Sequence, residues 1–159
     1  MSDLAALTGR HELATARDTE AFGRNLGERL SAGDLLVLTG PLGAGKTTLT
    51  RGLAAGLGVR GPIQSPTFVI ARTHPSLVDG PPLVHVDAYR LGSAAELDDL
   101  DLDLPGSVVV VEWGRGMVEA IVDEWWELEL IRPVGGAPAP DAELDDDAPR
   151  VAELTHHHL

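Results

Sequence analysis

A chain of 159 residues, 43% hydrophobic and 23% charged, is long enough and apolar enough to fold around a core of its own. Its formal net charge of −13 repels a polyphosphate backbone, which argues against strong, direct nucleic-acid binding by this chain alone. The absence of cysteine excludes disulfides and thiolate metal sites, and aliphatic runs such as Val108–Val111 are far too short to cross a bilayer.

Met1–Arg10 shows no basic stretch followed by an apolar one, so no signal peptide is expected and a cytoplasmic location is the default. His11–Ala16 is a weak strand candidate. Asp18 or Thr19 is placed to cap a helix whose apolar face is Phe22, Leu26 and Leu30. Gly33-Asp34 turns the chain into a short apolar strand, Leu35–Leu38.

That strand runs into Gly40-Pro41-Leu42-Gly43-Ala44-Gly45-Lys46-Thr47, the G-x-x-x-x-G-K-T pattern of a phosphate-binding loop. Leu49, Leu53 and Leu57 then mark the buried face of a helix ending near Gly58. Strand, loop and helix together give the motif its physical sense. Glycines let backbone N–H groups turn inward around phosphate oxygens at the positive end of the helix. Lys46 supplies a compact positive charge for the β- and γ-phosphates, and the Thr47 hydroxyl is a ligand for Mg²⁺. Lys46 is also the one lysine of the chain; every other basic residue outside the histidines is arginine, whose planar head does not replace an ammonium at such a site.

Gly61-Pro62 opens an irregular segment that leads into Ser65-Pro66-Thr67-Phe68. Val69–Thr73 reads as a strand, His74–Pro82 as a hairpin connection, and Leu83–Ala88 as the next strand. Ala94–Leu100 reads as a short acidic helix, Ser107–Val111 as a buried strand, Met117–Val122 as a brief helix and Trp126–Arg132 as a strand. Pro133–Pro149, rich in Pro, Gly, Ala and Asp, is expected to be a long mobile loop. Arg150–Thr155 fits a last, edge strand, followed by three histidines on a frayed end. The expectation is one α/β domain over residues 1–159: a P-loop NTPase-like three-layer sandwich with a mixed, partly antiparallel sheet. Two acidic runs, Glu96–Asp103 and Asp141–Asp147, suit solvated surfaces or docking of a basic partner.

A phosphate-binding loop does not name a reaction. A second acid is needed for Mg²⁺, usually at the end of an apolar strand beside the loop's own strand, and Glu112 after Val108–Val111 fits. Asp87 also ends a strand, and either forms a turn or orients water. Thr67 lies in a proline-fixed loop that is either ordinary or senses the γ-phosphate. Trp113 and His85 read as packing residues.

Gly40–Thr48 (GPLGAGKTT), Ser65–Phe68 (SPTF), His85–Leu91 (HVDAYRL) and Glu112-Trp113 (EW) stand in the order and spacing of the bacterial TsaE (YjeE) family. The chain resembles that family from about residue 12 to residue 132, departing from it at Gly114, where many members carry Pro or Ser. Members are small P-loop ATPases needed to form N6-threonylcarbamoyladenosine at position 37 of tRNAs reading codons that begin with A. They act with TsaD, which transfers the threonylcarbamoyl group, and with its dimer partner TsaB. The resemblance implies that Gly40 and Leu42, Gly43, Ala44, Gly45, Lys46, Thr47 and Thr48 hold ATP, with Thr19 beside the base. It implies Mg²⁺ on Thr47 and Glu112, and Thr67, Asp87, Lys46 and Glu112 around the γ-phosphate. A small-molecule kinase and a non-catalytic, nucleotide-gated binding module are the rival readings. A common guanine-specific switch is excluded, because Asn-Lys-x-Asp needs a second lysine and the one asparagine is Asn25.

Overall fold

The computed structural model describes residues 3–40, 45–61, 70–131 and 149–159. Seven strands make one sheet: β1 (Gly9–Leu13), β2 (Leu35–Thr39), β3 (Ala71–His74), β4 (Leu83–Asp87), β5 (Val108–Glu112), β6 (Glu124–Ile131) and β7 (Arg150–His158). Their spatial order is β1-β7-β6-β2-β5-β4-β3. The central strands β6, β2, β5 and β4 run parallel. β3 lies antiparallel on β4, and β7 lies antiparallel between β6 and β1. The sheet is therefore mixed, as expected.

Both faces of its centre are covered, which is why β2 and β5 carry unbroken Leu and Val rather than an alternation. Leu36, Leu38, Val108 and Val110 point to one side, into a core shared with α1 (Ala16–Arg29) and α2 (Lys46–Leu57). Leu35, Val37, Val109 and Val111 point to the other side, against Leu97 of α3 (Ala94–Asp98) and Val118 of a single 3-10 turn. This is the three-layer arrangement.

The two long helices pack backbone to backbone. A Cβ on Gly23 would stand 2.2 Å from the carbonyl oxygen of Leu49, and one on Gly52 would stand 2.1 Å from that of Glu20. Gly27 and Gly56 make equivalent approaches to Leu53 and Arg24. Four small residues thus let α1 lie directly on α2, the helix that follows the phosphate-loop motif.

Several boundaries differ from expectation. The cap of α1 is Thr15, whose hydroxyl oxygen accepts from the N–H of Asp18; Asp18 and Thr19 are already inside the helix. The helix over Ala94–Leu100 stops at Asp98, and Met117–Val122 yields only the 3-10 turn Val118–Ala120. β7 is an interior strand, not an edge one, because β1 adds beyond it. Nor are the terminal histidines frayed: His156 pairs with Trp126 and His158 with Glu124, extending β7 to the end of β6. Among the described residues no helix is long and apolar enough to cross a membrane.

Candidate functional site

β2 ends at Thr39, Gly40 is buried behind it, and α2 begins at Lys46. Gly45 caps α2 with φ +99°, a left-handed conformation that favours glycine. Space does not add to this: a Cβ there would make ordinary contacts, 3.6 Å from Nε of Arg150 and 3.7 Å from Cγ2 of Thr19. The cap makes no side-chain hydrogen bond to the helix. The first N–H groups of α2 thus form a site suited to an anion.

Lys46, the first residue of α2, is buried. Its Nζ lies 3.9 Å from Oε1 of Glu112 and 3.9 Å from the centre of the Trp113 ring. Neither contact is a hydrogen bond at that length. The ammonium is held by field and ring face, a hold that a phosphate oxygen can outcompete. Burial pushes the pKa of Lys46 below its ordinary value, and the Glu112 and Asp87 carboxylates pull it back up.

The acids reach this point because three parallel strands end together. In the registers, Glu112 stands beside Leu38 of β2 on one side and Asp87 of β4 on the other. Ligands of open α/β sheets gather at such carboxyl ends. Glu112 is buried, and its Oε2 accepts a 2.6 Å hydrogen bond from Nε2 of His85, itself only 1% exposed. Its other oxygen faces Lys46. Asp87 is half-buried, and its Oδ1 accepts from the N–H of Tyr89 at 3.0 Å, capping the 3-10 turn Ala88–Arg90.

Trp113 follows Glu112 with φ +63°, an uncommon conformation for a bulky residue. It is 38% exposed, not core, and its ring lies 5.4 Å from that of Tyr89, which is 72% exposed. Backbone strain of this kind costs about 1–3 kcal/mol and gathers at functional sites.

The structure therefore brings Lys46, Asp87 and Glu112 together beside Gly45. Thr47 is exposed and Thr48 half-buried in the first turn of α2, while Thr19 is buried with its methyl toward Gly45. Leu42, Gly43, Ala44 and Thr67 lie outside the described residues. Three neighbours of the site were not foreseen: His85 as a partner of Glu112, Trp113 as the surface on which Lys46 rests, and Arg150 beside Gly45. The donor set suits Mg²⁺, a hard cation that prefers oxygen: a hydroxyl on Thr47 and a carboxylate oxygen of Glu112 that no described hydrogen bond occupies.

An open cavity of about 410 Å³ lies elsewhere, lined in part by Glu119, Glu127, Glu129 and Glu153. Arg115 donates to Glu127 and Glu129 there, and those two carboxylates raise its pKa. Its described lining shares no residue with the phosphate loop, and its carboxylates repel a polyphosphate.

A family model described as "Threonylcarbamoyl adenosine biosynthesis protein TsaE" matches residues 13–134. A Streptomyces coelicolor protein described as "tRNA threonylcarbamoyladenosine biosynthesis protein TsaE" is 65% identical over 117 residues, covering 72% of this chain and 79% of the relative. A Mycobacterium tuberculosis protein with the same description is 50% identical over 139 residues, covering 80% of this chain and 83% of the relative. The crystal structure of Bacillus subtilis YdiB superimposes with a TM-score of 0.69 at 28% identity, covering 94% of this chain and 85% of that one.

Proposed function

The chain belongs to the TsaE family, and on that premise we propose that it is a Mg²⁺-dependent ATPase supporting threonylcarbamoyladenosine formation in tRNA. The observation that carries this is the meeting of Lys46, Glu112 and Asp87 where β4 and β5 end beside the start of α2. A site that only held nucleotide would need the loop and the lysine. The two acids beside them are what hydrolysis adds.

Each residue has a role in the proposal. The N–H groups of the loop and of α2 bind the phosphates, and Lys46 leaves Trp113 to meet the β- and γ-phosphate oxygens. Thr47 and Glu112 are the residues that would hold Mg²⁺, which when bound neutralises charge on those oxygens. Asp87 orients the attacking water, with Thr67 on the γ-phosphate side. Thr19 flanks the nucleotide at Gly45.

The working setting is the cytoplasm, with TsaD-like and TsaB-like partners. They make the contact with tRNA, which a chain of net charge −13 is poorly suited to make itself. An arginine brought by a partner is worth about 10³–10⁵ in rate, so the isolated chain should hydrolyse ATP weakly.

The test is ATP hydrolysis by the purified chain, with and without Mg²⁺ and with and without the partners. Weak, Mg²⁺-dependent turnover that the partners raise is the expected result. High turnover indifferent to the partners, or phosphate release only when a metabolite acceptor is added, would overturn the proposal.

A further inference from the structure

We infer that His85 is a positioning residue for Glu112, holding one carboxylate oxygen so that the other stays open to Mg²⁺ and does not close onto Lys46. This rests on the reading of Glu112 as a Mg²⁺ ligand given above.

The geometry begins with the strands. β4 and β5 run parallel with Asp87 beside Glu112 and His85 beside Val110. His85 and Asp87 are two residues apart on β4, so they share a face, and both are within reach of the end of β5. They divide the work. Asp87 turns its carboxylate to the N–H of Tyr89, while His85 turns Nε2 to Oε2 of Glu112 at 2.6 Å. A carboxylate oxygen accepts, so Nε2 carries the hydrogen.

The other ring nitrogen shows what the contact is for. Nδ1 of His85 is buried with no hydrogen-bond partner among the described residues. Burying an unpaired polar atom is unfavourable, and an apolar residue would fill the same space without it. The position is thus poorly explained by packing and well explained by the bond to Glu112. Outer partners of this kind fix the orientation of metal-binding side chains.

Lys46 supplies the competition. Its ammonium is 3.9 Å from Oε1, while the ring N–H of His85 holds Oε2. Both long side chains have rotational freedom to shorten that gap. With Oε2 held by His85, the carboxylate cannot swing to chelate the ammonium with both oxygens. Without His85 it can, which takes an oxygen from the metal and the ammonium from the phosphates.

The test titrates Mg²⁺ into the protein at fixed ADP and follows ADP binding by calorimetry, starting from EDTA. The readout is the Mg²⁺ midpoint, which does not depend on turnover. His85→Ala should move it upward by about 10–100-fold, the usual effect of losing such a partner. His85→Gln places its amide nitrogen at the reach of Nε2 and should restore most of the wild-type midpoint. His85→Asn reaches only the place of Nδ1 and should not. An unchanged midpoint in His85→Ala, or equal midpoints for Gln and Asn, overturns the inference. If His85→Ala does not fold, the Gln and Asn pair decides it by the same criterion. Glu112→Ala is run alongside. If it leaves the midpoint unmoved, the Mg²⁺ reading of Glu112 itself falls; if it moves the midpoint and His85→Ala does not, only the role of His85 falls.

Discussion

The ammonium of Lys46 rests 3.9 Å from the centre of the Trp113 indole, on a residue whose backbone is held in the left-handed region. The ring gives the buried cation a favourable face until phosphate arrives. ATP binding should therefore change the environment of Trp113. The expected outcome is a change in tryptophan emission on adding ATP, abolished in Trp113→Phe although Trp125 and Trp126 remain. Lys46→Ala should lose the response as well. An equal response in Trp113→Phe would show that Lys46 does not leave this ring.

The seam between α1 and α2 has no room for a methyl group. Gly52→Ala places a Cβ 2.1 Å from the carbonyl oxygen of Glu20, which is backbone and cannot step aside. Overpacking of this kind costs about 1–3 kcal/mol. Since about 1 kcal/mol shifts the midpoint of a chain this size by roughly 2–4 °C, thermal unfolding should show a drop of several degrees. A control at exposed Arg51 on the same helix, Arg51→Ala, should stay near wild type.

Thr15→Ala removes the oxygen that accepts from Asp18 at the start of α1. A loss of about 0.5–2 kcal/mol is expected from denaturant unfolding. Asp18→Ala should cost less, because Asp18 sits inside the helix and supplies no cap.

Burial holds the pKa of His74 below its ordinary 6.5; the hydrogen bond to the Arg60 carbonyl opposes this, and the charges of His85 and Arg72 add to it. As pH falls through 6.5, the unfolded chain takes up a proton that folded His74 still refuses. The unfolded state then binds more protons, so stability falls with falling pH until folded His74 also titrates. His74→Asn keeps a donor near the position of Nδ1, which lies 3.2 Å from the Arg60 oxygen, but does not titrate. The loss of Tm between about pH 7.5 and about pH 5.5 should be smaller in His74→Asn than in wild type. Equal losses would remove His74 from the acid response.

Much of the site was legible because its parts are local. Leu35–Leu38 is an unbroken apolar run, Leu49, Leu53 and Leu57 recur every four residues, and the glycine motif lies between them in the chain. Glu112 and Asp87 could be found as acids closing apolar strands. The partnership of His85 with Glu112 could not, because 27 residues separate them and only the β5-β4 adjacency brings them together. β7 was misjudged as an edge for a related reason. Glu153 and Thr155 are polar because they line the acidic cavity, where the sheet face is open, and not because the strand lacks a neighbour. The Thr15 cap was hidden by Asp18 and Thr19, two residues equally able to cap a helix that had already begun.

Single-turnover ATP hydrolysis by wild type, Glu112→Ala and Asp87→Ala, with ATP binding measured in parallel, tests the central claim most directly. Each substitution should slow hydrolysis by at least about tenfold, a loss of roughly 1.4 kcal/mol in transition-state stabilisation, while ATP still binds. Hydrolysis unchanged in both variants would contradict that claim and leave the site a phosphate cradle without the chemistry assigned to it.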